Sequence, residues 1–460
     1  MRCVTLYLVG SVPENFAAIK SVIQRGAEFV TSSSQNQECR CTIRSVIDPG
    51  GEESQPFASL KEQSMFARNR WVAFVCGLAW LGIVGRASEF AVAQSSKDSK
   101  GAAGPRFEHL HDIPYKGVEI PMTMIHDAAN RPYLYVASKE AGLKIFDVKD
   151  APRLARAIPI SELGSMHVMS LAQFDKRICL ALGNHWGKHE PSGLAVIDVS
   201  NPEKGSVAGV WKDTEANGGG GAVLVNGSTA YLAAMGNGLI VLDVGNPAAI
   251  RVVSRLQPEL TFPDARPDRN KINARGLAMQ KNSLFLCYDA GGVRVIDVAD
   301  PQQPSEIGRY SNPAMNGRPR AYNNIVLNGS LAYVTADYVG LEILDISKPR
   351  EIKLVGWWNP WNPKLEGLKW FSSPGHANEI AYDAKSKTVL MSAGRSDLVA
   401  INVSDPVHPR QVGSIGEVED TQATWGLSLH GDLVYLSYIR TLGIPFRADW
   451  PGVKVFRYRR

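Results

Sequence analysis

Five segments of the sequence are near-copies of one another: GLKIFDVKDAP from Gly142, GLAVIDVSNP from Gly193, GLIVLDVGNP from Gly238, GVRVIDVADP from Gly292 and GLEILDISKP from Gly340. Measured from one repeat Asp to the next, at Asp147, Asp198, Asp243, Asp297 and Asp345, they recur every 45 to 54 residues. A period of that length marks a propeller or a solenoid, in which each repeat buries its apolar faces only against its neighbours. Two decayed copies, SDLVAINVSDP from Ser396 and PGVKVFRYRR from Pro451, put Asn402 and Arg457 in the Asp register and bring the count to seven units.

Within a unit both alternations of the strand are apolar, as in Leu194 and Val196 on one face and Ala195, Ile197 and Val199 on the other. Such a strand needs cover on both sides, which a blade between two other blades has and an exposed sandwich sheet lacks. The pattern therefore predicts an all-β, seven-bladed β-propeller over residues 105–460, with four antiparallel strands per blade. Gly before the run suits a turn at positive φ, the Asp closes an Asx-type turn, and the Pro that follows ends strand pairing. Equivalent Asp residues in five copies point to turn chemistry rather than catalysis.

The repeated string resembles the LVIVD-repeat family from about Thr123 to the C-terminus. The resemblance implies β-propellers of bacterial and archaeal envelopes or cell surfaces, mostly without an assigned reaction.

Upstream of the repeats, Arg68 and Arg70 precede an apolar run at residues 71–85, and small residues then end in Ala91-Val92-Ala93. This reads as a secretory signal peptide over residues 65–93, cleaved after Ala93, which implies a periplasmic, secreted or cell-surface protein. Arg86 interrupts the run, which is short for a membrane span, and no comparable run follows, so no membrane span is expected in the mature chain. Met65 sits where a start residue belongs. Residues 1–64 then read as an over-called upstream extension, or alternatively as a disordered tail ahead of an uncleaved anchor. Residues 94–104, rich in Ser, Lys, Gly and Ala, read as a linker. The remainder gives each unit about 52 residues, a usual blade size.

Of six cysteines only Cys179 and Cys287 lie beyond the leader, in the second strands of units two and four. A whole blade separates them, so they read as small buried hydrophobes rather than a disulfide. Cys39 and Cys41 have no second pair to complete a zinc site. The net charge of +5 is spread along the chain, which argues against a nucleic-acid partner. No Walker loop, dinucleotide fingerprint, HExxH or GxSxG occurs, and no cofactor is expected from motif.

The last strand ends at the C-terminus without an outer strand. PRFEHLHDIPYKG from Pro105 resembles the outer-strand stretch PRLARAIPISELG from Pro152, and is expected to supply it. Closure from both ends of the chain removes the exposed sheet edges.

Alignment of the units also nominates a site. Met169, Gly221, Arg275, Asn323, Asn378 and Trp425 begin the innermost strands, with His167, Gly219, Asn273, Ala321, His376 and Ala423 two residues earlier. Lys139, Gly183, Met235, Asp289, Asp337, Gly394 and Ile439 follow the second strands, with Arg395 and Arg440 one place later. A uniform scaffold needs similar residues at equivalent positions, so chemically distinct ones suggest a ligand surface at the channel mouth. The expected ligand-binding set is Arg275, Asn323, Asn378, Trp425, Asp337, Arg395 and Arg440, joined by Asp289 and His376. A solvated polar channel without a ligand is the competing reading.

Three insertions overhang the fold: NHWGKHEP from Asn184, residues 440–451, and WWNPWNPKLEGLKWFSSPGHAN from Trp357. The Trp residues at 357, 358, 361 and 370 suit stacking on sugars or capping of the core. His185 and His189 with Glu190 suggest a divalent metal only if the loop is helical, which Gly187 and Pro191 oppose.

The leading functional expectation is a binding or interaction module that offers a polar, aromatic-rich funnel to a small anionic or glycan-like ligand, or to an envelope protein. A second is a hydrolase or lyase acting on a sugar acid or lactone. There His376 or His167 would be general base, Asp289 or Glu379 would orient it, and Arg275, Arg395 and Arg440 would hold the anion. A third is a structural envelope protein with no ligand.

Overall fold

The computed structural model describes residues 104–117, 119–185, 190–359, 377–393, 397–416, 421–442 and 447–460, and the leader and linker expectations lie outside them. Seven four-stranded antiparallel sheets form the ring of a β-propeller. Blades 1 to 6 are consecutive along the chain, at residues 124–158, 168–217, 222–256, 277–310, 321–358 and 380–415. In each the strands run outward in sequence order, and the first strands of neighbouring blades meet around the axis.

Burial follows from the two-sided apolar pattern. Leu194–Ile197, Leu239–Leu242, Val293–Ile296 and Leu341–Leu344 are buried without a polar-out alternation. Their side chains build separate cores between blades. Cys179, Leu194 and Val196 meet Leu232, Ile240 and Leu242 between blades 2 and 3, while Tyr231, Leu239 and Val241 meet Leu284, Leu286 and Ile296 between blades 3 and 4. Each fully buried Leu, Ile or Val contributes about 1.5–3 kcal/mol relative to exposure, and only an adjacent blade supplies that cover. Cys179 and Cys287 sit in second strands as free, buried thiols, and burial pushes both well above the ordinary range.

The repeat Asp closes the turn between third and fourth strands. Asp147, Asp198, Asp243, Asp297 and Asp345 each accept the backbone N–H two residues on, at 2.8–3.0 Å, and Asn402 does the same at 3.1 Å. These hydrogen bonds come first among the causes that hold Asp147, Asp198, Asp243 and Asp345 below the usual carboxylate range. The repeat Gly is left-handed at Gly142, Gly238, Gly292 and Gly340, with φ between 72° and 88°. Gly193 departs from this pattern. Its strand, Pro191–Asp198, begins two residues earlier, so Gly193 is paired on both sides, to Leu182 and Lys212.

Blade 7 is assembled from both ends of the chain, in the order Thr424–His430, Leu433–Tyr438, Gly452–Arg459, Arg106–Pro114. The closing pair runs from Arg106 opposite Arg459 to Pro114 opposite Gly452, with a bulge at His109/His111. Phe107 stacks on Tyr458 at 5.3 Å between ring centres, and Arg459 reaches Glu108 at 2.7 Å.

One further repeat position carries charge into the interior. The residue after the Gly-Leu or Gly-Val step is Lys144, Arg294, Glu342 or Lys454 in four blades. Each fastens a loop that leads to an inner strand: Lys144 pairs with Glu119 at 2.6 Å, Glu342 accepts from Asn312 at 2.6 Å and Tyr322 at 2.9 Å, and Lys454 reaches Gln422. Arg294, fully buried, donates to Glu306 and to the carbonyls of Gly291 and Phe262.

Gly238→Val tests the turn. A Cβ there lies 2.5 Å from the Leu256 carbonyl oxygen at a φ of 72°, and a β-branched residue in that conformation costs about 1–3 kcal/mol. A lower chemical-denaturation midpoint is expected; an unchanged midpoint contradicts the turn assignment.

Candidate functional site at the channel mouth

The inner-strand row converges on the axis. Met122, Met169, Gly221, Arg275, Asn323, Asn378 and Trp425, one from each blade, line a single channel cavity of about 340 Å³. Glu379 and His185 line it too. A second cavity, about 780 Å³, opens beside it over blades 3 to 5. Its walls include Asp289, Asp337 and Asn273, and it shares Arg275 and His185 with the first.

The backbone explains why the row following the second strands holds its place. Lys139, Met235 and Asp289 have φ of 38°, 51° and 52°, and each bridges to the inner strand of the next blade, at Val168, Ala274 and Tyr322. The strain of a non-glycine residue at positive φ is held by these bridges between blades. In blade 5 the left-handed residue is Tyr338, one place after Asp337.

Some of the chemical variety on the inner row is stitching between blades. Asn323 donates to the Ala377 carbonyl at 2.7 Å and Asn378 to that of Thr424 at 3.5 Å. Ser392 donates to the Trp425 carbonyl, and Ser437 to that of Met122. Trp425 packs against the blade 1–2 core and against the cluster of Ala423, Ile439 and Ala448, and forms a wall of the cavity.

Arg275 is different. Its Nε is buried with no hydrogen-bond partner among the described residues. One terminal nitrogen lies 3.5 Å from His185 Nε2, and the other is 3.7 Å from Asp289, beyond hydrogen-bond reach. His185 Nδ1 meets the Gly220 carbonyl at 3.0 Å and so carries the proton as a donor. Asp289 accepts from Asn273 at 2.8 Å. Burial pushes its carboxyl above the ordinary range, with repulsion from Asp337 adding to the shift against the pull of Arg275 and Asn273. Asp289 is therefore an incomplete counter-charge for the guanidinium.

Glu379 also lines the smaller cavity. Burial lifts its carboxyl from 4.5 to about 7, opposed only by a hydrogen bond with Asn324. Asn324 Oδ1 accepts the Ile325 N–H at 2.8 Å, which leaves its amide N–H₂ for the carboxyl.

The remaining candidates lie elsewhere or fall outside the described residues. His167 Nδ1 is held by Glu190 at 2.5 Å, Glu190 also accepts the backbone N–H groups of His167 and Asn184, and His167 lines neither cavity. Arg440 donates to the Gly117 carbonyl at 2.9 Å and also lines neither. His376, Arg395, His189, Trp361 and Trp370 are outside the described residues. Trp357 and Trp358 belong to the outer strand Lys353–Trp358, with the Trp357 indole donating to the Val339 carbonyl. Among the described residues no group of three His, Cys, Asp or Glu side chains could hold a metal ion, and no helix is long and apolar enough to cross a membrane.

Sequence reading overlooked the loops at residues 257–276 and 311–320, which supply Phe262, Asp264, Lys271, Arg318 and Arg320 to the larger cavity. The dense charge in DARPDRNKINAR was the available signal. Arg320 anchors them, donating to Asp264 and to the carbonyls of Ala290 and Met315.

Comparison with known proteins agrees with this architecture. The LVIVD repeat matches residues 131–155, 190–209, 218–257, 273–312 and 319–359. No curated protein sequence matches the chain. Among solved structures, the RRP9 WD40 repeats are 14% identical, with 78% of this chain and 98% of that one covered at a TM-score of 0.54. U3-55K is 14% identical, with coverage of 77% and 99% at 0.53, and a chain of a mitotic checkpoint complex is 10% identical, with 83% and 100% at 0.53. At these identities the likeness shows the fold alone.

The raised Glu379 carboxyl has a stability consequence of definite sign. The native state binds this proton more tightly than the unfolded chain, so its contribution is complete below about pH 4.5 and is lost as pH rises to about 7. Glu379→Gln removes that loss and is expected to gain about 1–3 kcal/mol on the wild type between pH 4 and pH 8 in denaturant unfolding. The difference isolates Glu379 from carboxylates held low elsewhere, such as Asp127. Burial opposes that group's ionisation, yet Arg131, Tyr135 and the Ala129 amide bring it to about 2. A pH-independent difference contradicts the assignment.

Proposed function

The chain belongs to the LVIVD-repeat family, and from that premise we propose that it is an exported binding module whose channel mouth takes a small carboxylate-bearing ligand on Arg275. A closed ring of blades is an interaction scaffold in general, so the ligand class has to come from the mouth. Arg275 carries the proposal: a guanidinium that lines both cavities, its Nε unpartnered among the described residues and the nearest described carboxylate too far to hydrogen-bond. The planar fork of donors matches a carboxylate, and partial burial strengthens the contact relative to water. A volume of about 340 Å³ is at the lower end of small-molecule sites, which favours a small ligand over a chain.

Export is supported by the basic, apolar and small-residue succession that ends at Ala93. N-terminal sequencing of the mature protein from the envelope or medium is expected to begin at Gln94; a mature product that retains residues 71–85 contradicts a cleaved leader.

Calorimetric titration with small mono- and dicarboxylates tests the site. Arg275→Ala is expected to weaken binding roughly ten- to a hundredfold, as for loss of one charge-assisted contact. Arg275→Lys is expected to recover only part of it, because an ammonium lacks the fork. Unchanged affinity in Arg275→Ala, with its fold intact by circular dichroism, overturns the assignment.

A further inference from the structure

We infer that the ligand carries an amino group as well as a carboxylate, the ammonium seated against Glu379 while Arg275 holds the acid. This deepens the proposal above and rests on it. Among the described residues three ionisable side chains line the smaller cavity: Arg275 from blade 4, Glu379 from blade 6, and His185 from the loop of blade 2. The two that carry opposite charge stand on either side of blade 5, with Asn323 and Asn324 between them. They form no ion pair with each other, and among the described residues Glu379 forms none with any cation.

A neutral amide is an incomplete partner for Glu379. Asn324 offers only the neutral donors of its amide N–H₂, and its acceptor is already committed to the Ile325 amide. A carboxyl with several lone-pair sites, met by one neutral amide group and in no ion pair with a described cation, is suited to an ammonium brought by the ligand. The rest of the described wall is neutral, with Met122, Leu171, Leu277 and Trp425 among it. An anion alone would leave Glu379 as a like charge in a narrow site, whereas a zwitterion matches both ends. Compounds of the amino-acid type, with one ammonium and one carboxylate on a small frame, are the class that fits.

Matched pairs of ligands test this on the intact mature chain. L-alanine, L-leucine and L-phenylalanine are compared by calorimetry with propanoate, 4-methylpentanoate and 3-phenylpropanoate, and 4-aminobutanoate with butanoate to sample a wider separation. At least one amino compound is expected to bind about tenfold or more tightly than its partner, the scale of one charge-assisted contact. Glu379→Gln is expected to abolish that preference and, by removing a like charge from the cavity, to leave affinity for the simple carboxylate equal to or higher than that of the wild type. Glu379→Asp, which keeps the charge, checks that loss does not come from misfolding and is expected to retain part of the preference. If carboxylates bind through Arg275 with no gain from the amine, or if Glu379→Gln keeps the gain, the inference fails and the carboxylate site stands. If neither series binds, the carboxylate site falls with it.

Discussion

A strand that is apolar on both faces cannot be left at the edge of anything, and that requirement organises this molecule. Each third strand is covered by the blade before it and the blade after it, so no blade is stable as an isolated sheet. The requirement ends only when the ring closes. Pairing of Arg106–Pro114 with Gly452–Arg459 completes blade 7 and lets Val453, Val455 and Tyr435 pack on Leu134, Val136 and Phe146 of blade 1. The same closure protects the sheet edge that a linear array would expose.

A closed ring in turn fixes the channel. The inner strands are held by hydrogen bonds that pass from blade to blade, through Asn323, Asn378, Ser392 and Ser437. The residues that line the mouth thus stand on a frame that is complete before any ligand arrives, which lowers the ordering cost of binding. Two kinds of polar residue share this frame. Those whose hydrogen bonds end on backbone carbonyls join blades, while Arg275 and Glu379 keep capacity that no described residue uses.

How much of this was legible in the sequence depended on whether the repeat repeated it. The Asp turns, the left-handed Gly, the two-sided strands and the exchanged outer strand all recur, and recurrence separates structure from accident. The inner-strand row was legible for the complementary reason, since Arg275 and Trp425 stand where other units have Gly or Met. Chemical variety alone did not separate stitching from binding: Asn323 and Asn378 line the cavity while their amides also reach neighbouring carbonyls. Interior charges such as Arg294 and Glu342 obey the same register yet sit in a run read as apolar, so their partners on distant loops were invisible. Gly193 shows the limit in the other direction, where a repeat residue loses its turn because a longer strand has absorbed it.

The closure on which the frame depends is open to direct measurement by native-state hydrogen exchange. If the ring is sealed as described, the paired amides of Arg106–Pro114 exchange as slowly as those of an internal outer strand such as Ser305–Tyr310, and both are released together on global unfolding. Exchange of Arg106–Pro114 at the rate of an unstructured chain, with blades 2 to 6 still protected, would show that the ring stands open and that the channel is not framed from all sides.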